Sequence, residues 1–276
     1  MPDSTLLLAI DTCGPTGSVA LGSVDGQSVE ILGQIELEGR SYSSTLVAAV
    51  SELLVQAEIK LSQLHAMVAV NGPGSFTGVR VGLAAVKGLA EAARIPVVAV
   101  SRLEVLAAKA GAPTDRSSSV GSEARGTAAG ALEGRKAGLL AAALDAHRHE
   151  IFLRLVLPAN LAAGSESAVE HARELLAGVQ ELALIEPPPS RIALCDEAAA
   201  ELVSAAWPEA ELIRTSAPTA ADALLLCAPR VAAGEFVDLA LLDGHYLRRS
   251  DAEIFGAEIF GAGIAAKPAA AVSEGR

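Results

Sequence analysis

The chain alternates short apolar runs with clusters of turn-forming residues. LLLAI (6–10) is an unbroken apolar run that stops at Asp11, and SVALGSV (18–24) resumes after the loop TCGPTG. Two such runs about a Gly/Pro-rich turn predict a β-hairpin whose first strand ends in an aspartate, and Val29 to Leu37 predicts a third strand. Across 44–58 the spacing becomes helical: Leu46, Ala49, Val50, Leu53, Leu54 and Ala57 share one side, with Ser43 or Ser44 as N-cap. Val47, Ala48 and Val55 make the other side apolar as well, so this helix is expected to be covered on more than one side. Next come a buried strand (Met67–Val70), the stretch GPGSFTGVRVG (72–82) opening a small-residue helix to about Ala93, and a strand in IPVVAVS (95–101).

The pattern breaks at 111–138, a Gly/Ser/Ala-rich tract read as a flexible linker or insertion. Order resumes at GLLAAALDAHRHEIFLRLV (138–156), where ALDAHRHEIFLRL (143–155) repeats the plan of AIDTCGPTGSVAL (9–21). Asp145 and Leu155 each lie 134 residues beyond Asp11 and Leu21, which predicts a duplicated lobe. The second lobe then reads as a helix over 169–179, a proline turn (187–189), a strand at 191–195 and a helix over 197–206. A helix over 218–235, N-capped by Thr219 and kinked or broken by Pro229, completes the pattern. The expected organisation is an N-terminal lobe at 1–110 rejoined by a C-terminal helix at about 217–250, and a C-terminal lobe at 139–216. Residues 251–276, with EIFG twice, read as a disordered tail.

Composition narrows the functional classes. Half of the 276 residues are hydrophobic and 3% are aromatic, so the core is aliphatic and globular. A net charge of −12 disfavours direct grip on a nucleic-acid backbone. The three cysteines form no C-x-x-C pair and fit reduced thiols. The N-terminus lacks a basic leader, and no run approaches the ~20 apolar residues that span a bilayer, so the expectation is a cytoplasmic protein without a membrane segment.

The chemistry candidates sit at the hairpin turns. Two strand-Asp-turn-strand units facing a cleft are the plan of ATP-binding folds in which the Asp holds Mg²⁺ through water and turn amides wrap phosphates. The first turn keeps Asp11, Thr12, Gly14 and Gly17; the second has Asp145-Ala-His-Arg-His-Glu where glycines are needed. His147 and His149 share a face if the segment is a regular strand, without the further ligands a metal requires. Ser75 lacks the G-x-S-x-G surroundings of a nucleophile elbow. The 72–82 stretch fails both common phosphate spacings, having no Lys after its later Gly and Thr77 in place of a third glycine. Its Gly78, Gly82 and Ala85 instead follow i, i+4, i+7, which predicts close packing, with helix 44–58 the expected neighbour.

Taken together, LLAIDTCGPTGSVAL (7–21), AVNGPGSFTGVRVGLAAVKGLA (69–90), IPVVAVSRLEVLA (95–107), ALDAHRHEIF (143–152), PTAADAL (218–224) and HYLRRSDAE (245–253) resemble the TsaB (YeaZ) family, in that order. The resemblance implies an α/β fold of duplicated RNase H-like lobes of the actin/Hsp70/sugar-kinase type. It implies a non-catalytic dimerisation or activating subunit, with no cofactor and no metal of its own, in the complex that adds threonylcarbamoyl to the adenosine next to the anticodon of tRNA. The implied partners are the TsaD paralogue, which carries the metal and the transfer chemistry, and the TsaE ATPase. Contact with tRNA comes only through the complex, and a homodimer forms when the chain is alone. The implied pairing helices are 44–58 and 78–92, which places Leu46, Ala49, Val50, Leu53, Gly78, Val79, Gly82, Leu83 and Val86 at the contact with TsaD or with a second copy. Asp11, Thr12, Gly14 and Gly17 are then a vestigial nucleotide site. The rival reading from another class is an ATP-dependent phosphotransferase of the sugar-kinase type.

Overall fold

A computed structural model describes residues 4–26, 28–39, 41–111, 140–156 and 172–248. The 111–138 linker, but for its first residue, and the 251–276 tail lie outside the described residues. β1 (Thr5–Asp11), β2 (Thr16–Asp25) and β3 (Ser28–Glu38) form an antiparallel meander, and β4 (Ala66–Val70) and β5 (Val97–Val100) add in parallel beside β1. α1 (Tyr42–Gln56) and α2 (Phe76–Ala93) connect them, as a β–α–β crossover requires. The sheet order is β3-β2-β1-β4-β5.

The second sheet repeats this order. β6 (Leu140–Asp145), β7 (Glu150–Val156) and β8 (Ala172–Gly178) form the meander; β9 (Arg191–Leu194) and β10 (Glu211–Arg214) run parallel beyond β6. Read from its meander edge the order is β8-β7-β6-β9-β10, the first sheet's order with each strand five places on. The duplication therefore extends from a three-residue likeness at the hairpin to a whole topology, the duplicated RNase H-like, actin-type plan. Even the turn is repeated: Asp11 Oδ1 accepts the amide of Cys13 and Asp145 Oδ1 that of His147, both at 2.8 Å.

The duplication also exposes a misreading. Residues 172–178 form β8, the counterpart of β3, and not part of a helix; positions 169–171 of that expectation lie outside the described residues. Glu, Leu and Ala favour helix locally, but pairing along the whole of β7 overrides a weak local preference. β10, α3 (Arg102–Lys109) and the short α4 (Val179–Leu182) are elements the spacing did not predict. α5 (Glu197–Ala206) and α6 (Ala220–Ala232) were predicted, and α6 starts at the expected Thr219 cap. It runs on through Pro229 to Ala232 instead of breaking there. α6 returns to the first lobe, where Ala223, Leu224 and Cys227 join its core and Ser18 Oγ accepts the Ala220 amide at 2.8 Å. α3 follows the first sheet in sequence but packs Leu103, Leu106 and Ala107 with Leu144, Phe152 and Ala193 of the second.

Candidate functional site

The place where this plan would hold a polyphosphate is filled by the protein. Asp11 ends β1 with its side chain buried; its Oδ1 is taken by the Cys13 amide, and Oδ2 pairs with Arg102 Nε at 3.3 Å. Arg102 is itself 5% exposed and opens α3, whose cap Ser101 accepts the Leu103 amide at 3.2 Å. Burial pulls the Arg102 pKa down, but the Asp11 carboxylate, its hydrogen bond, and Cys13 and Cys195 together raise it, so the guanidinium stays charged. A Cβ on Gly14 would collide with Arg102 Nη2, and one on Gly17 would lie 2.7 Å from the Tyr42 ring. Tyr42 donates its hydroxyl to the Gly14 carbonyl at 2.9 Å, and burial pushes its pKa up to about 12. All four residues of the expected vestigial site are thus brought together, but against a cation and a phenol ring of the same chain. A hydrated Mg²⁺ and a phosphate do not fit this loop, since Asp11 is 1% exposed, its charge is paired with Arg102, and that guanidinium fills the approach past Gly14.

The glycines of 72–82 serve the same closure. A Cβ on Gly74 would strike the Cys13 carbonyl, one on Gly78 the Thr12 carbonyl, and one on Gly82 the Thr12 hydroxyl. Spaced by four, Gly74, Gly78 and Gly82 form a cradle into which the first hairpin turn presses. Thr12 Oγ1 donates to the Gly78 carbonyl at 2.7 Å, the Ser75 amide donates to the Cys13 carbonyl at 2.7 Å, and Cys13 Sγ points to the Val70 carbonyl at 3.3 Å. Burial pushes the Cys13 thiol well up, so it is a packing group and not a nucleophile. Ser75 caps α2 by accepting the Gly78 amide at 3.2 Å. The close approach expected between this glycine stripe and helix 44–58 is instead an approach of helix to hairpin turn.

The expected contact residues lie as follows. Leu46, Ala49, Val50 and Leu53 of α1, and Gly78, Val79, Gly82, Leu83 and Val86 of α2, are all buried within their own lobe. Their side chains are committed to the core, Leu83 alone of them also lining the groove between α2 and residues 242–248. Periodicity found the apolar side of each helix but not which side faces the sheet. The outward side is different: Ser44, Val47, Ala48, Ser51 and Val55 on α1, and Ala84, Gly88, Glu91 and Ala92 on α2. Val47 is 60% and Val55 72% exposed, and nothing lies within 4 Å of a Cβ on Gly88. α1 and α2 pack on each other, and their exposed side chains combine these small and aliphatic residues with the polar Glu52, Gln56, Thr77 and Arg80. Small residues let another helix backbone come close.

In the second lobe, His147, Arg148 and His149 all adopt positive φ (60°, 55° and 61°), so they form a turn and not the strand face that would align two imidazoles. His147 Nδ1 lies 2.8 Å from Asp145 Oδ2. Among the described residues no three His, Cys, Asp or Glu side chains are grouped to hold a metal. Ser101, Glu174 and His245 do meet: the Ser101 hydroxyl and His245 Nε2 each lie 2.8 Å from Glu174 Oε2. The hydroxyl bonds the carboxylate and not the imidazole, so the Ser–His–acid relay of a serine nucleophile is not formed. Arg154, also 2.8 Å from Glu174, completes the cluster beside a crevice of about 340 Å³. A second groove of about 500 Å³ lies between α2 and residues 242–248. No described helix is long and apolar enough to cross a membrane.

Comparison with known proteins adds the following. The model of the TsaD family, tRNA N6-adenosine threonylcarbamoyltransferase, matches residues 32–154. The tRNA threonylcarbamoyladenosine biosynthesis protein TsaB of Haemophilus influenzae is 39% identical over 101 residues, 37% of this chain and 41% of its own length. The protein of the same name from Escherichia coli is 37% identical over 101 residues, 37% of this chain and 42% of its length. The chain thus matches about two fifths of the length of these curated relatives. Among solved structures, YeaZ from Pseudomonas aeruginosa superposes with a TM-score of 0.60 at 25% identity, covering 88% of this chain and 100% of that one.

Proposed function

We propose that this chain, which belongs to the TsaB/YeaZ family, is the non-catalytic subunit that binds and activates a TsaD-type paralogue in the addition of threonylcarbamoyl to the adenosine next to the anticodon of tRNA. The observation that carries the reading is the contrast between its two candidate surfaces. The ligand loop is closed by its own Arg102, Tyr42 and Thr12, while α1 and α2 leave a small-residue, aliphatic face open. A fold that has filled its ligand loop and presents a flat helical face is suited to assembly. The same face serves a homodimer when the paralogue is absent. The TsaE ATPase joins the assembly, tRNA is met through the complex in the cytoplasm, and no cofactor is held by this chain. The phosphotransferase alternative is disfavoured by the same loop, where Asp11 is 1% exposed and paired with the Arg102 guanidinium.

The test is a face-specific disruption. Val47→Glu with Ala84→Glu places charge on the outward side without touching the core. The expected result is loss of co-purification with the TsaD-type paralogue, and of threonylcarbamoyl incorporation by the reconstituted complex, with an unchanged unfolding midpoint. Retained binding rejects the face. Turnover of Mg-ATP by the purified chain alone rejects the non-catalytic assignment.

A further inference from the structure

Besides the β10–α6 connection and the Lys109–Asp222 pair between α3 and α6, two segments end on one carboxylate oxygen of the second lobe. The first is the β5–α3 corner, where Ser101 donates to Glu174 Oε2 and the next residue, Arg102, pairs with Asp11. The second is the strap 242–248. The His245 amide donates to the Asn71 carbonyl of the first lobe at 2.7 Å, while its Nε2 lies 2.8 Å from Glu174 Oε2. The Tyr246 ring then packs on Phe76, the first residue of α2, with centroids 4.9 Å apart, and Arg248 pairs with Glu150 at the start of β7. Glu174 stands on β8 with its side chain 7% exposed, and Arg154 from β7 bonds its other oxygen.

We infer that Glu174 is a positioning residue that fixes the orientation of the α1/α2 face relative to the second lobe, acting through His245 and the Tyr246–Phe76 contact. The functional weight of this face rests on the docking reading above; the coupling itself does not. A buried ion pair adds little net stability over an apolar pair of the same size, so its use here is better explained by the single arrangement it selects. The carboxylate accepts donors from β7, from the β5–α3 corner and from the strap. Arg154 fixes the carboxylate within its own sheet, while the Ser101 and His245 bonds reach it from outside that sheet and together restrict the mutual placement of the lobes. A fold whose loop has no room for a ligand thereby sets its lobe angle from within.

Spin labels test this on the full-length chain. Cysteines are introduced at Ser51 on α1 and Glu201 on α5, both exposed, with Cys195 replaced by serine because it is only half-buried. The chain with Glu174 and His245 intact should give one narrow inter-lobe distance. His245→Ala, a change at a partly exposed strap residue, should lose that single narrow peak, and so should Glu174→Gln. His245→Gln, which keeps a donor at a similar reach, should restore it. Circular dichroism and the urea midpoint report folding separately, so that a merely destabilised chain is recognised by a lowered midpoint with the peak intact. An unchanged narrow distance in folded His245→Ala overturns the inference, whatever the paralogue affinity. A broadened distance with unchanged paralogue affinity supports the coupling and counts instead against the docking face.

Discussion

Gly82 and Gly88 lie six residues apart on α2, and alanine at each should move stability in opposite directions. At Gly88 a Cβ meets nothing within 4 Å. The change there removes only the backbone freedom of an exposed helical glycine, which stabilises by about 1 kcal/mol. At Gly82 the same gain is opposed by a collision with the Thr12 hydroxyl, which is fixed by its bond to the Gly78 carbonyl. Forcing a methyl group into a packed contact costs about 1–3 kcal/mol, and weakening that hydrogen bond adds about 1 kcal/mol. The turn cannot retreat, because Cys13 behind it is bonded by the Ser75 amide and packs against the Val70 carbonyl. Gly82→Ala should therefore be destabilised by roughly 1–3 kcal/mol net and Gly88→Ala stabilised by roughly 1 kcal/mol. Urea unfolding of the two variants and the parent, fitted with a common slope, measures both. Stabilisation of both variants would refute the cradle, since it would mean that Gly82 is as open as Gly88. A larger residue at Gly82 reports on folding; one at Gly88 reports on the partner.

Other consequences follow from the buried charges. Arg102→Met should destabilise the chain by about 3–5 kcal/mol because Asp11 is left charged and buried, and Asp11→Asn in the same chain should recover part of that loss; thermal melts of the single and double variants decide it. Bonds from His245, Ser101 and Arg154 hold the Glu174 carboxyl below its ordinary value against the opposing effect of burial. Its contribution is therefore complete above the unfolded value near 4.5 and is lost as pH falls through the lower folded value, so Glu174→Gln should flatten the acid limb of a stability-versus-pH curve. Tyr42, raised from 10.0 to about 12, favours its neutral form in the fold; its contribution is complete below pH 10 and lost as pH rises toward 12, and Tyr42→Phe should remove that alkaline loss, as followed by tyrosinate absorbance.

How much of this was legible depended on whether the signal was local. The first meander, β4, α1 and α2 follow from apolar period and turn residues. The second hairpin follows from the repeated Ala-Leu/Ile-Asp. β8 was misread because its residues prefer helix and only pairing with β7 makes it a strand; carrying the duplication one strand further would have found it. Arg102 lay within the quoted IPVVAVSRLEVLA, yet nothing local says that a residue 91 positions from Asp11 reaches it. On α1, apolar side chains on both sides predicted cover on both; within the chain only the side of Leu46, Val50 and Leu53 is covered, and Val47 and Val55 are exposed. Which side faces the sheet was not legible, because Leu46, Val50 and Leu53 and the outward Val47 and Val55 are equally apolar. Burial alone separates them.

The central claim is that α1 and α2 present an assembly face while the ligand loop is closed from within. Its most direct test is the affinity of the purified chain for a TsaD-type paralogue, measured for the parent, Val47→Glu/Ala84→Glu and Asp11→Asn/Arg102→Met by titration calorimetry. The account predicts that the first variant loses binding while folded, and that the second, its loop disturbed but its face intact, binds as the parent does. Binding kept by the face variant, or lost only when the loop is changed, would contradict it.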